Sequence, residues 1–599
     1  MMLRTSLVAL ACFSLTLACG GGGASDGAVG AKTLRLPMRS AGPGTLDPVM
    51  GSTTYDNRAA SMSYETLLQY KYLARPLELE PLLVTEMPKV TERDGQQVYR
   101  FTLRDDVRFQ DDPCFEGGVG RPLVASDVIY SWKRLADPVN EYKSWWIVAD
   151  MIVGLDAYKE AQKARVDAGE SFDYEAEVEG LRVLNEREFE VVLTEPVYAF
   201  LYKITQFQLS IVPREAVETY GEQFAIRPVG TGPYVLAKDG WTKNKSLSYL
   251  RNPNFHPEVY PTAHEAGDEE FGLHVAAGQT LPFADRVEFT MFENDNPMWL
   301  EFKAGGLDYS QVPAENFAEA FELRSRRLKA EFRDKGVRGT SVPLLDFIFR
   351  AFNMEDELVG GTTDDKIALR RAFALATNLK EFNDSFYNGQ NIVYDGMIPP
   401  GLDGHPEGGL SAVSVRGPQL DEARRLLAEA GYPGGEGLPV IDYYISSGSN
   451  IPEQASMWKR QLGALGVQLN VRQSNFAQLI DAVNSKKAPM FSFSWSSDYP
   501  DGENNLSLFY SPNVSPGSNH FNYSRPEFDE LYEKVRAMPP SPERTRLYEE
   551  MRDIVLADVP FVGSMARERF YVIQPSLKNF KPTEAFYNWV KYLDVAARP

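Results

Sequence analysis

Beyond its first eighteen residues, the sequence lacks any uninterrupted apolar stretch of eighteen residues, the length at which a helix could span a bilayer. It also has only three cysteines, Cys12, Cys19 and Cys114. So few cysteines exclude a disulfide framework, and a packed apolar core must stabilise the chain. Hydrophobic residues make up 43% of the 599 residues, which is typical of a globular protein with two or three domains.

Positive charge is also scarce. The chain has 62 lysines and arginines against 83 aspartates and glutamates, a formal net charge of −21. No basic run interrupts this acidic balance. Nucleic acids and anionic lipid headgroups are therefore repelled at long range, and no nucleic-acid partner is expected.

The common catalytic motifs are missing as well. The sequence has no G-x-S-x-G, no H-E-x-x-H and no glycine-rich phosphate loop. The acidic pairs Asp105-Asp106 and Asp111-Asp112 are interpreted as solvated loop carboxylates, because neighbouring strand residues point to opposite faces. We expect no catalytic residue, no metal, no cofactor and no enzyme activity. An extracytoplasmic hydrolase stays an alternative, since triads are recognised by geometry and not by sequence order.

The N-terminus has the pattern of an export signal. Arg4 precedes the apolar stretch Leu7–Ala18, and Cys19 is followed by four glycines. Leu15 to Cys19 resembles a bacterial lipobox, which implies a signal peptide over 1–18, lipidation of Cys19 and a flexible tether over 19–31. An ordinary signal peptide that contains cysteine is the alternative. The resemblance implies a protein of the periplasm or cell surface, anchored to a membrane by lipid.

From Lys32 onward, strand and helix patterns alternate. Helices are predicted over 57–70 and 156–180 in the first half, and over 364–379, 420–431, 452–465, 475–485, 525–536 and 541–557 in the second. Strands are predicted between them, each pair closed by glycine or proline. This alternation favours α/β architecture with mixed sheets. An acidic insertion at 260–282 holds His264 and His274, and with nearby His256 these are interpreted as solvated loop histidines rather than metal ligands.

Two segments combine aromatic and polar side chains. One contains Trp145 and Trp146, and the other is Trp495-Ser496-Ser497-Asp498-Tyr499. The second leaves an apolar strand and enters a Pro/Gly turn, where α/β proteins place ligands. It offers an aromatic wall, two hydroxyls and a carboxylate suited to an ammonium group.

Six motifs occur along the mature chain in the order found in one large bacterial family. They are Leu46-Asp47-Pro48, Tyr64 to Leu68, Tyr99 to Phe109, Leu123 to Pro138, Gly230-Thr231-Gly232-Pro233-Tyr234, and Phe352 to Asn378. Together they resemble the solute-binding proteins that serve dipeptide, oligopeptide and nickel ABC importers. The long Asp111–Arg121 turn and the 260–282 insertion depart from the family pattern.

The resemblance implies a Venus-flytrap fold of the type II periplasmic binding proteins, with two lobes and an extra inserted small domain. Lobe I is expected over 32–56, 213–345 and 558–599, the small domain over 57–212, and lobe II over 346–557. Two lobes that close on a solute imply a hinge motion.

The resemblance also implies site residues. Peptide-binding members use the Asp of a Trp-x-x-Asp turn to hold the peptide amine, which makes Asp498 the expected anchor and Trp495 a pocket wall. Ser496, Ser497 and Tyr499 accompany them, and Trp145 and Trp146 are expected to face the ligand. The implied partners are a peptide or peptide-like solute and an ABC permease, with the protein a monomer. A nickel chelate, haem or an oligosaccharide are alternative solutes, and a sensor or adhesion role without a transporter is a further alternative.

Overall fold

The computed structural model describes residues 31–39, 42–406, 417–447 and 450–596. The predicted signal peptide, Cys19 and nearly all of the tether lie outside these ranges. No helix within them combines the length and the apolar character required to cross a bilayer.

The described residues form an α/β protein whose helices vary in length from four to seventeen residues. The helices are Thr54–Ala60, Ala125–Lys133, Leu155–Asp167, Phe200–Lys203, Arg214–Tyr220, Asp295–Lys303, Phe317–Ala320, Ala330–Arg333, Asp364–Ala376, Leu379–Tyr387, Leu420–Glu429, Ile451–Gly463, Phe476–Asn484, Gly502–Leu506, Pro526–Arg536 and Pro542–Asp558. The six helices predicted after residue 364 are all present, with ends shifted by a few residues.

The largest sheet has six strands and mixed pairing. Its strands lie in the order Ile392–Tyr394, Phe561–Ala566, Asp346–Phe352, Met490–Ser496, Ile441–Ser446 and Leu469–Ser474. The first four pair antiparallel and the last two join in parallel. Separate clusters of buried apolar side chains cover the sheet, one around Phe349 and Phe561 and the other around Phe352 and Trp458.

The N-terminal half contains two four-stranded sheets. One has the order Thr33–Met38, Arg286–Met291, Ser246–Arg251 and Tyr234–Thr242, and the other Lys89–Arg93, Gln96–Thr102, Glu188–Val192 and Leu181–Val183. Two-stranded sheets pair Leu68–Tyr70 with Leu79–Pro81, and Leu577–Lys578 with Asp594–Val595. One large apolar core runs beneath both four-stranded sheets.

The chain crosses twice between this half and the six-stranded sheet. On the side of the N-terminal half lies a three-stranded sheet, whose strands have the order Tyr309–Gln311, Glu568–Ile573 and Arg338–Pro343. Only residues 344–345 separate it from the strand that begins at Asp346, and only Arg567 separates it from Phe561–Ala566. Arg567 donates to the buried Asp346 carboxylate at 2.5 Å, so an ion pair ties the two crossings together.

Two helix predictions in the first half were wrong in extent. Residues 57–70 were expected to be one helix, but the helix ends at Ala60 and Leu68–Tyr70 is a strand. Every residue from 61 to 70 is buried, so the apolar pattern there reflects burial on all sides and not one helical face. The helix expected over 156–180 ends at Asp167, because Gly169 takes a left-handed conformation at φ 81°.

The long turn at 111–121 is held by its own acidic residues. The Asp112 carboxylate accepts hydrogen bonds from the Cys114 backbone N–H at 2.9 Å and from the Tyr220 hydroxyl at 2.5 Å. Burial, followed by the Asp112 hydrogen bond, raises the pKa of the Cys114 thiol. The thiol is therefore protonated and partly packed.

Candidate functional site

The candidate site begins where the strand Met490–Ser496 leaves the six-stranded sheet. After Ser496 the chain turns through Pro500, and the helix Gly502–Leu506 starts behind the N-cap Asp501. The Asp501 carboxylate accepts from the Glu503 backbone N–H at 2.9 Å, which satisfies one of the free donors of the helix start. The strand end and the capped helix therefore fix the path of residues 497–501.

Asn504, on this helix, organises the turn. Its Oδ1 accepts from the Trp495 indole Nε1 at 2.8 Å and from the Asp498 backbone N–H at 3.2 Å. Its Nδ2 donates to the Asp498 carboxylate at 3.2 Å. One amide thus positions both the aromatic ring and the carboxylate of the Trp-x-x-Asp turn.

The Asp498 carboxylate is exposed to a cavity but has protein around it. The loss of hydration raises its pKa, while the Asn504 hydrogen bond and the positive charge of Lys203 act in the opposite direction. Glu503 adds to the upward shift. Asn504 occupies only one carboxylate oxygen; within the described residues the other oxygen, Oδ1, has no hydrogen-bond partner. It is free to accept from a ligand.

The cavity has a volume of about 430 Å³. One wall is built from residues 495–536, which belong to the region of the six-stranded sheet, and the other from residues 146–203 of the N-terminal half. Such a volume between two lobes is in the range of natural ligand sites.

Lys203 is the principal cation on the second wall. It ends the short helix Phe200–Lys203, and burial lowers its pKa against the opposing influence of Glu503 and Asp498. In the described part of the chain, no carboxylate lies within ion-pair distance of Lys203. The cavity therefore contains an acidic end at Asp498 and Glu503 and a nearby ammonium group with no direct partner.

A few contacts join the two walls at the edge of the cavity. Glu195 and Arg536 form an ion pair at 2.6 Å, and the Tyr198 backbone N–H donates to the Arg536 carbonyl at 2.8 Å. Gln206 Nε2 donates to the Asp498 carbonyl at 2.5 Å. The rings of Tyr202 and Tyr499 stack in parallel with centroids 5.7 Å apart. These contacts bridge the two walls directly.

Residues 78–517 match the model of the bacterial extracellular solute-binding proteins, family 5. The chain belongs to this family. The matched range includes the Trp495–Asp498 turn and both walls of the cavity, apart from the last residues that line it.

Relatives of this family-5 protein cover most of the chain. The chain is 24% identical over 471 residues to the periplasmic oligopeptide-binding protein OppA of Salmonella typhimurium, and the aligned region covers 76% of this chain and 74% of that protein. It is 22% identical to haem-binding protein A of Haemophilus influenzae, covering 90% and 88%. Among solved structures, HbpA2 of Haemophilus parasuis superimposes with a TM-score of 0.72 at 18% identity, covering 94% and 99%. The fold expected from the sequence is therefore confirmed.

The structure of this family-5 protein brings four of the seven expected ligand-facing residues to the cavity. Trp146, Trp495, Asp498 and Tyr499 line it. Trp146 is 47% exposed, an unusual state for tryptophan in the absence of a partner.

The other three have different surroundings. The Ser497 hydroxyl donates to Asn505 Oδ1 at 2.7 Å, within the turn. Ser496 is exposed at the end of its strand, opposite Asp346. Trp145 packs under the Lys159 ammonium, 5.0 Å from the ring centroid. None of these three lines the cavity.

Asn504, Lys203 and the Glu195–Arg536 pair were missed by sequence reasoning. Asn504 lies six residues after Asp498 at a helix start, and an amide after an N-cap Asp was the one available signal. Lys203 and Glu195 are some 300 residues away in sequence from the groups they approach, so no local pattern connects them.

The histidine interpretation was wrong for one of three residues. His264 and His274 are exposed as expected. His256, however, is only 2% exposed, and its Nε2 lies 3.0 Å from Glu65 Oε1. Glu258 completes a group of possible metal ligands, but it already forms an ion pair with Lys591 at 2.7 Å. Hydrogen bonds and an ion pair engage Glu65, His256 Nε2 and Glu258 within the protein, while His256 Nδ1 is buried with no hydrogen-bond partner among the described residues.

Proposed function

We propose that this protein captures peptides in the cavity between its lobes, holds their N-terminal ammonium at Asp498, and delivers them to an ABC permease. The observation that carries the proposal is the Asp498 carboxylate, oriented by Asn504 at the cavity wall with Oδ1 open to a ligand. The oligopeptide-binding relative supports the choice of solute.

The chemistry of the cavity suits a peptide N-terminus. A charge-assisted hydrogen bond to a carboxylate contributes about 1.5–3 kcal/mol. The exposed faces of Trp146 and Trp495 offer apolar contact to the first side chains. Binding carries no catalytic step, and the proposed role is that of a carrier rather than an enzyme.

The proposed cycle is closure of two lobes about the paired crossings at 344–345 and 567. A solute that contacts both walls binds the closed form better than the open form and so shifts the population toward it. The solvent-accessible Glu195–Arg536 pair is one of the contacts between the walls and contributes about 0.2–1 kcal/mol. The proposed moving parts are lobe I (32–56, 213–345 and 558–599), the small domain (57–212) and lobe II (346–557).

The proposed location is the periplasm or cell surface, with Cys19 as the lipid attachment point. Metabolic labelling with a radioactive fatty acid tests this directly. We expect label in the wild-type protein and none in Cys19→Ser, with Cys114→Ser as the matched control that keeps the label. Label retained in Cys19→Ser would contradict the anchor.

Isothermal titration with a tripeptide and its N-acetylated form tests the solute and the anchor together. We expect the free peptide to bind at least about tenfold more tightly than the acetylated one. Asp498→Asn should abolish this preference, whereas Asp481→Asn, an exposed acid on the helix Phe476–Asn484, should leave it intact. Equal affinity for both peptides in the wild type would refute the amine anchor.

The haem-binding relative favours one alternative, a single non-peptide solute. Native mass spectrometry of protein purified from rich medium separates the two. A ladder of small peptides that is lost on unfolding and refolding supports a peptide carrier. One discrete non-peptide mass would instead assign the same cavity to a narrow-specificity carrier.

A further inference from the structure

A second cavity, of about 110 Å³, lies between the N-terminal half and the C-terminal segment 569–589, and none of its lining residues lines the cavity at Asp498. It is enclosed by the short helix Thr54–Ala60, the paired strands that carry Tyr309 and Tyr571, and the segment 580–589. Aromatic side chains dominate its lining. A volume of this size holds one aromatic ring or a short acid, but not a peptide.

Arg58 enters this cavity within an aromatic cage. Its guanidinium carbon lies 5.0 Å from the centroid of the Trp589 ring and 5.8 Å from the rings of Tyr309 and Phe289. The guanidinium also donates to the Tyr309 hydroxyl. Its Nε is buried and has no hydrogen-bond partner.

The charges around the cavity do not balance. Arg569, the next cation, is paired with Glu584 at 2.6 Å, and Glu584 also accepts from the Tyr571 hydroxyl. Arg39, at the rim, hydrogen-bonds to Asp295 at 2.8 Å. Among the described residues, no carboxylate lies within 4.0 Å of Arg58.

An unpaired guanidinium away from bulk water is costly, and proteins normally pair such a group. Burial lowers the pKa of Arg58, opposed by the more distant charge of Glu584. The arginine nevertheless stays protonated, so the cavity has one uncompensated positive charge beside an apolar, aromatic lining. These are the features that recognise an anion on an apolar stem.

We propose that this cavity is a carboxylate subsite, in which Arg58 pairs with the carboxylate of a small acid and the aromatic cage holds its apolar stem. The fork of the guanidinium matches a carboxylate in geometry. The subsite is distinct from the amine anchor at Asp498 and does not require the transported solute to be a peptide.

The test is titration of the purified protein with butyrate, a short acid on an apolar stem, and with butyramide, its neutral amide. We expect the acid to bind at least about tenfold more tightly than the amide, because only the acid neutralises Arg58. Arg58→Gln should remove this preference, and Arg58→Lys, which keeps the charge, should retain part of it. The matched control is Arg100→Gln, an exposed arginine paired with Glu188 on a different sheet, which should bind as the wild type does.

Three results would overturn the proposal: equal affinity of the wild type for acid and amide, no binding of the acid at millimolar concentration, or unchanged acid binding by Arg58→Gln. Thermal unfolding of each variant shows whether it is folded. If Arg58→Gln does not fold, the comparison of acid with amide in the wild type and in Arg58→Lys still decides. Because butyrate has no amine, failure of the peptide proposal leaves this result unaffected, and the reverse also holds.

Discussion

The buried ion pair beneath the candidate site offers the sharpest stability prediction. Asp501 and Arg544 lie 2.6 Å apart, with side chains only 5% and 3% exposed. The Tyr548 hydroxyl also donates to Asp501, at 2.7 Å. Asp501→Asn removes the charge that compensates Arg544 but keeps the shape of the side chain. Loss of one partner from a buried pair costs about 3–5 kcal/mol, because the other charge stays desolvated and alone.

The measurement is urea unfolding followed by tryptophan fluorescence. The matched control is Asp442→Asn. This change removes an exposed ion pair with Arg472, at 3.1 Å, between two neighbouring strands of the six-stranded sheet. Because both partners of that pair contact solvent, we expect a cost of only about 0–1 kcal/mol. The slope of unfolding free energy against urea should stay constant in both variants, since neither changes the surface exposed on unfolding.

A cost below about 1 kcal/mol for Asp501→Asn, or equal costs for both variants, would refute the argument from burial. The pair also affects the site. Asp501 caps the helix that carries Asn504, and Asn504 orients Asp498. We therefore expect Asp501→Asn to weaken peptide binding even under conditions in which the protein remains folded.

Three further outcomes follow from the cavity. Loss of hydration at the cavity wall raises the pKa of Asp498, and only the ionised carboxylate holds an ammonium. Peptide affinity measured by titration should therefore fall as pH decreases through this pKa, starting at a higher pH than for an ordinary aspartate, and an affinity that stays constant down to pH 4 would contradict this. Glu195→Gln removes the ion pair with Arg536 and should weaken peptide binding by about 0.2–1 kcal/mol. Salt screens this pair, so the difference in affinity between variant and wild type should vanish near about 1 M salt. A difference that persists at that salt concentration would show that the effect of Glu195 is not electrostatic. Trp495→Phe removes the hydrogen bond from the indole to Asn504 and should weaken peptide binding by about 0.5–1.5 kcal/mol. Unchanged affinity in the same titration would show that Asn504 orients Asp498 without the indole hydrogen bond.

The errors of sequence reasoning had a common origin. The segment 57–70 was interpreted as one amphipathic helix, but residues 61–70 are all buried. The spacing of their apolar side chains therefore did not indicate a helix with one buried face. His256 was interpreted as solvated together with the two histidines of the neighbouring acidic insertion. In the fold it lies against Glu65, almost 200 residues earlier in the chain, and no local pattern encodes such a contact.

The local features were predictable because short-range chemistry specifies them. The helices after residue 364 follow from apolar periodicity and end signals, and the motif order identified the family. The turn at Trp495–Asp498 was also recognisable, since an apolar strand and a Pro/Gly turn are neighbours in sequence.

Only the tertiary structure decided which side chains meet across the cavity. Trp146 lines the cavity and Trp145 does not, and Lys203 lines the same cavity as Asp498. Glu195 forms an ion pair with Arg536. Arg58 lies among aromatic rings without a carboxylate partner in the described residues. The physical reason is that each of these relations joins residues distant in sequence, whose approach depends on how the lobes pack. The sequence by itself determined the elements and the family, and packing between distant elements determined the charge balance of both cavities.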